Sequence, residues 1–309
     1  MLSATYSGRF PRCTRAAAAV IVATIVPALG VIACHDTSSS AEEGPRLVYG
    51  AAVALGNGHA RSYVLFDSAD TDKPIEFGVA FNEAAMEGLP APMSMPGGGD
   101  DPHAHADFHE YLLPLPAQNP TPYKLIELDW NPGGHEPPGI YDIPHFDFHF
   151  YTITKEQRDA IDPSIGDSAY MARSGSLPPA DHRPEFFVPL AAPETPIVAV
   201  PRMGVHWSDV RSPELQGALG HPENAHTFTT TYIHGSWNGE FIFDEPMVTR
   251  AFIMGRKTAN TDAARDSVMQ LPVAARTGTA GYYPSAYRVA YDSESGEYRI
   301  ALTQLGWRE

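Results

Sequence analysis

Apolar residues in this chain come in short runs, and within most of them apolar and polar positions alternate. A two-residue period puts successive side chains on opposite faces of an extended backbone. The pattern predicts strands at Leu47–Leu55, Ser62–Asp67, Ile75–Phe81, Phe108–Leu113, Leu125–Trp130, His145–Ile153, Phe186–Val188, Ile197–Val200, Thr227–His234, Glu240–Asp244, Thr249–Met254, Ala286–Asp292 and Tyr298–Thr303. Helical signals are few. Thr154-Lys155-Glu156-Gln157 has the capping-box spacing and opens a helix that must end before Pro163, and short helices are expected at Asn82–Glu87 and Asp262–Met269. Asn238-Gly239 is the residue pair a two-residue type I′ hairpin requires, and Ser293–Glu297 joins a second hairpin. The expectation is a mainly β fold, a β-sandwich or barrel-like arrangement with few short helices. The 29 prolines and 26 glycines, which keep the apolar runs short, agree with it.

The N-terminus breaks this pattern. Arg9, Arg12 and Arg15 precede an uncharged apolar run from Ala16 to Ile32, the order of an export signal. The run is shorter than the roughly 20 residues that span a bilayer. It ends at Val31-Ile32-Ala33-Cys34, which resembles a lipobox, the site where a cysteine is lipidated and becomes the new first residue. The expected organisation is a lipoprotein signal peptide at 1–33, a flexible tether at 34–44 and a single β-rich domain at 45–309. Cys34 would carry the lipid, and the partner would be a membrane reached through it. An uncleaved anchor is the alternative, and either puts the domain outside the cytoplasm. Cys13 would leave with the signal peptide, so the mature protein would have no disulfide.

The formal charge of −16 becomes more negative still once the three leader arginines are gone. That balance argues against nucleic acid and anionic membrane surfaces as partners and is compatible with cation binding.

Candidate chemistry lies in the histidines. In His145-Phe146-Asp147-Phe148-His149-Phe150-Tyr151 the phenylalanines share one strand face, while His145, Asp147 and His149 share the other. His145 and His149 stand about 13 Å apart along a straight strand, so ligands from elsewhere must contribute to any shared ion. His135, His206 and Glu245 are the candidates, with Asp147 orienting an imidazole from behind. Imidazole and carboxylate together suit a divalent metal, zinc or iron first, and an open coordination position would permit catalysis. His109 and Glu110 are further candidates, and His103 and His105 read as a solvated loop. Glu127 and Asp129 read as an exposed strand edge, with an acid/base pair as the alternative. The chain has no H-E-x-x-H, no G-x-S-x-G and no C-x-x-C motif. Gly255-Arg256-Lys257-Thr258 lacks the upstream glycine of a phosphate loop.

Four segments, Trp130–His135, Pro144–Tyr151, Met203–Trp207 and Glu245–Thr249, resemble successive motifs of a family of exported bacterial proteins of unknown function. Its members include a Thermus protein under extracytoplasmic sigma-factor control. The resemblance covers roughly Leu47 to Met254 and implies a secreted β domain that can self-associate, with no activity to borrow. A fainter likeness links His145–Phe150 to the histidine strand of α-carbonic anhydrases. There the second ligand falls two residues after the first, a position held here by Asp147, so no activity is carried over. Three readings stand at this point: a lipid-anchored metal-binding protein, a self-associating envelope protein with a structural histidine network, and a metal-dependent hydrolase or oxygenase using Glu136 or Glu245 as base.

Overall fold

The computed structural model describes residues 44–92, 108–162, 167–190, 197 and 199–309. The predicted leader, Cys34, the tether as far as residue 43, and His103 and His105 lie outside them.

Sixteen strands follow one another along the described chain: β1 (Arg46–Tyr49), β2 (Val53–Leu55), β3 (Gly58–Phe66), β4 (Pro74–Asn82), β5 (His109–Leu113), β6 (Leu125–Asn131), β7 (His145–Tyr151), β8 (Phe187–Pro189), β9 (Val205–Asp209), β10 (Thr230–Trp237), β11 (Glu240–Thr249), β12 (Asp266–Gln270), β13 (Gly281–Tyr283), β14 (Ala286–Asp292), β15 (Glu297–Thr303) and β16 (Gly306–Arg308). Four α-helices are short: α1 (Lys155–Asp159), α2 (Ser168–Gly175), α3 (Arg250–Thr258) and α4 (Asp262–Arg265). None is long and apolar enough to cross a membrane.

The fold is mainly β and sandwich-like. One antiparallel sheet runs in the order β1-β3-β4-β15-β14-β12, with β2 beside β3, and the other runs β5-β6-β7-β11-β10-β9-β8. A two-stranded piece, β13-β16, stands apart from both. Between the sheets, Phe146, Phe148 and Phe150 of β7 meet Phe81 and Phe77 of β4, with ring centroids 5.6–6.3 Å apart. These rings belong to one continuous core that joins both sheets. Burying each such ring contributes about 1.5–3 kcal/mol.

Both hairpins form as expected. Asn238 and Gly239 take φ of 52° and 89° between β10 and β11, and β14 pairs with β15 across the second turn. Thr154 makes the full capping box at the start of α1.

Other elements differ from the expectation. Leu47–Leu55 divides into β1 and β2. Thr249–Met254 is not a strand, because the Thr249 hydroxyl accepts from the Phe252 N–H and starts α3, whose last turn carries Arg256 and Lys257 where cations favour a helix end. Of the predicted strand Ile197–Val200, the described residues show an isolated bridge from Val200 to Gly204. Asp262–Met269 is helical only to Arg265 and then turns into β12, whose burial alternates residue by residue.

β11 runs past Pro246 to Thr249. Pro246 pairs with Tyr232 on the β10 side, but the ladder to β7 passes from Asp244↔Phe150 to Met247↔Asp147 with no pairing between. Proline has no N–H to give, so this central strand loses part of its ladder on one side only.

Candidate metal centre

The face of β7 turned away from the sandwich interior is as buried as the phenylalanine face, since all seven of its residues are buried. Strand register assembles a polar floor there. His145, Asp147 and His149 lie opposite Asn131, Asp129 and Glu127 of β6, and Glu245 lies on the other neighbour, β11. His206 arrives from β9, where it pairs with Gly235 of β10. A side chain at Gly235 would overlap the Phe243 ring, which stands 5.0 Å from the His149 ring and 5.6 Å from the His206 ring.

The connections between strands close over this floor. The β6–β7 loop brings His135 and Tyr141 above β7, with the His135 ring 4.7 Å from that of His145, and Phe228 packs edge-on against both Tyr141 and His145. α1 lowers Arg158 from the other end, where its guanidinium is 1% exposed and bonds Glu127 and Glu110. Arg202 holds the second oxygen of Glu110.

The sequence-derived ligands fall into two groups, His135/His145/Asp147 and His149/His206/Glu245, each with one ligand atom per residue within 4.8 Å of the others. Each group could hold a metal ion. His145 and His149 therefore do not converge on one point, in keeping with their separation along a straight strand. Asp147, expected behind an imidazole, instead stands at the centre of the first group.

In that group the His135 and His145 Nδ1 atoms lie 2.6 Å from the Glu136 and Ile143 carbonyls. A carbonyl accepts only from N–H, so each Nδ1 is protonated and each Nε2, a lone pair in the neutral ring, is turned inward. They point at the two Asp147 oxygens from 3.3 and 3.2 Å. Asn131 donates to Asp147 at 2.8 Å and fixes its plane. Lone pairs facing one another this way require protons or a cation between them. Burial works against charge on both His135 and Asp147, yet attraction prevails: Asp147 raises the His135 imidazole, and His145, followed by His135, holds the Asp147 carboxyl well below the usual carboxylate range.

In the second group His149 Nε2 lies 3.4 Å from Glu245 Oε1, and His206 Nε2 lies 3.9 Å from Oε2. Two ligands each about 2.1 Å from a tetrahedral ion stand roughly 3.4 Å apart, the spacing of His149 from Glu245, while His206 stands somewhat farther out. Burial, reinforced by the other imidazoles of the site, pushes His149 down to about 3 and His206 down to about 4. Both are neutral at physiological pH, the form that binds metal. Burial, followed by the nearby Asp147 charge, pushes the Glu245 and Asp129 carboxyls well up.

Asp129 Oδ2 sits 3.5 Å from His149 Nδ1, too far for a good hydrogen bond yet placed to orient the ring. Glu127 and Asp129 are 0% and 1% exposed and β6 lies inside its sheet, which overturns their reading as an exposed strand edge. Glu110 pairs with arginines, and His109 pairs across to Trp130 on the interior face, so neither joins the groups. Arg158 carries no spacing signal of its own, and the two-residue spacing of Asp129 from Glu127 does not reveal its burial. Only the strand register and the capping box, projected into three dimensions, could have pointed to them.

No curated protein and no solved structure matches the chain. Residues 70–130 match the family model described as "TTHB210-like: Hypothetical protein TTHB210", a stretch that runs from just before β4 almost to the end of β6. It supports relation to that family of unknown function. It is much shorter than the Leu47–Met254 span of the sequence resemblance and stops before the histidine strand, so the ligand groups rest on their own geometry.

Proposed function

We propose that this protein binds a divalent metal ion, zinc or iron, on the covered face of its second sheet, and does so as an extracytoplasmic domain held to a membrane through lipid on Cys34. The observation that carries the metal reading is where buried polar atoms lack partners. Among the described residues they include His145 Nε2, Asp147 Oδ1, His149 Nδ1 and Nε2, Glu245 Oε2 and both oxygens of Asp129. Leaving each such atom unpaired costs about 1–3 kcal/mol, and a cation among them removes several of those costs together. The His149/His206/Glu245 group is the primary site, because its imidazoles are neutral and available as ligands, and an ion there would displace the proton that burial favours on Glu245. His135/His145/Asp147 is the secondary site, since protons on its imidazoles are a competing solution.

Elemental analysis of untagged protein purified without chelator should find metal. His149→Ala and His206→Ala should each remove most of it, and His145→Ala should spare the primary fraction. Unchanged metal content in the first two variants would overturn the assignment. The anchor reading rests on Arg9–Cys34. Wild-type protein should sediment with membranes and incorporate labelled palmitate, whereas Cys34→Ser should do neither, and an unlabelled wild type would exclude it.

A further inference from the structure

A cavity of about 460 Å³ opens on the opposite side of β10 and β11 from the metal face, roofed by the segment Leu271–Pro284 and by β16. None of the metal-group residues lines it. At its floor His234 Nδ1 lies 2.7 Å from Asp244 Oδ1, and the other Asp244 oxygen accepts from the Tyr123 hydroxyl. The carboxylate is thus occupied on both sides and holds the imidazole with its Nδ1–H inward. That tautomer leaves Nε2 as an acceptor, and His234 Nε2 is buried without a partner. Tyr232, 4% exposed, also lines the cavity, and its hydroxyl lies beside the same Asp244 carboxylate. An imidazole acceptor without a partner suits a ligand hydroxyl, which can donate to it.

The walls specify the rest. Phe241, Tyr283 and Trp307 supply aromatic surface, and Trp307 is 58% exposed at the rim. Lys124, Arg276 and Arg308 also line the cavity, and none has a carboxylate within ion-pair distance among the described residues, in a chain with 37 acidic residues against 21 basic ones. Cations left unpaired around one pocket of an acidic protein are placed for an anion.

We propose that this cavity binds a small aromatic carboxylate bearing a hydroxyl group. The ring lies against Trp307 and its aromatic neighbours, the carboxylate meets Lys124 and Arg276, and the hydroxyl donates to His234 Nε2.

The test is titration of the purified full-length protein, by calorimetry and tryptophan fluorescence, with two probes of different length, 4-hydroxybenzoate and 4-hydroxycinnamate. Benzoate and 4-hydroxybenzamide serve as comparisons lacking the hydroxyl or the charge. At least one hydroxy acid should bind saturably, with the comparisons about tenfold weaker or more. The surface double substitution Lys124→Gln/Arg276→Gln should weaken the hydroxy acid about tenfold while leaving the amide unchanged. His234→Gln should abolish the preference for hydroxy acid over benzoate; should that buried variant not fold, the surface pair decides. Chelator-treated protein should bind the probes as untreated protein does, which separates this site from the metal reading. Absence of saturable binding by both hydroxy acids, equal affinity for all four compounds, or indifference to the surface pair would each overturn the proposal.

Discussion

Among the described residues, Arg158 is the only guanidinium among the largest fully buried side chains, and its position explains how so acidic a face is tolerated. Glu127 beneath it is fully buried, and Arg158 is its ion-pair partner. Removing one member of a buried pair leaves the other charge uncompensated, at a cost of about 3–5 kcal/mol, whereas replacing both with apolar groups is often neutral. Arg158→Met should therefore lower unfolding free energy by that amount in urea titration, and Arg158→Met/Glu127→Leu should recover most of it. A single variant as stable as wild type would show that the pair contributes nothing. At this scale the sequence was half informative. His135, His145, His149, His206 and Glu245 were legible as chemistry because imidazoles clustered near a strand whose other face was plainly core. Their division into two groups follows from the strand rise. The burial of Glu127 and Asp129 was not legible, since an alternating polar row looks the same whether water or folded loops cover it.

The capping box ahead of α1 is a local signal with a distant effect. Thr154 and Gln157 satisfy one another's backbone N–H groups, which fixes where the helix starts and hence where Arg158 points. Thr154→Ala should cost about 1 kcal/mol in denaturant stability. Its effect should be non-additive with Arg158→Met, because both act through the same ion pair; simple additivity of the two losses would refute that coupling. Elements with such local signatures, namely the capping box, the Asn-Gly turn and the phenylalanine strand, were readable in advance. Those decided by competition were not. The run after Thr249 is apolar enough for either a strand or a helix, and a hydroxyl cap tips it to α3. β11 reads as ending at Asp244, yet pairing with β10 carries it through a proline.

On the scale of the whole molecule, a metal at the primary site would tie three separate strands, β7, β9 and β11, across the width of one sheet. An ion that binds only the folded chain stabilises it by mass action, by about 2.7 kcal/mol when free metal exceeds its dissociation constant a hundredfold. For a chain of this size that corresponds to a rise in Tm of roughly 5–10 °C. Calorimetry of chelator-treated protein with and without added zinc or ferrous iron should show it, and a Tm indifferent to both would count against the site. The sandwich class was legible from periodicity alone. The covering of one sheet's outer side was not, because it is built from irregular segments whose course depends on long-range contacts.

That β7 is enclosed on both sides has a further consequence for how the chain finds its arrangement. Most sheet strands have a wet side that forgives a wrong partner alignment. Here a shift by one place would press three charged or imidazole groups into a greasy interior while thrusting three benzyl rings among carboxylates, a double penalty with no water on either side to soften it. The strand that carries the chemistry is thereby the one whose neighbours it can least afford to mistake.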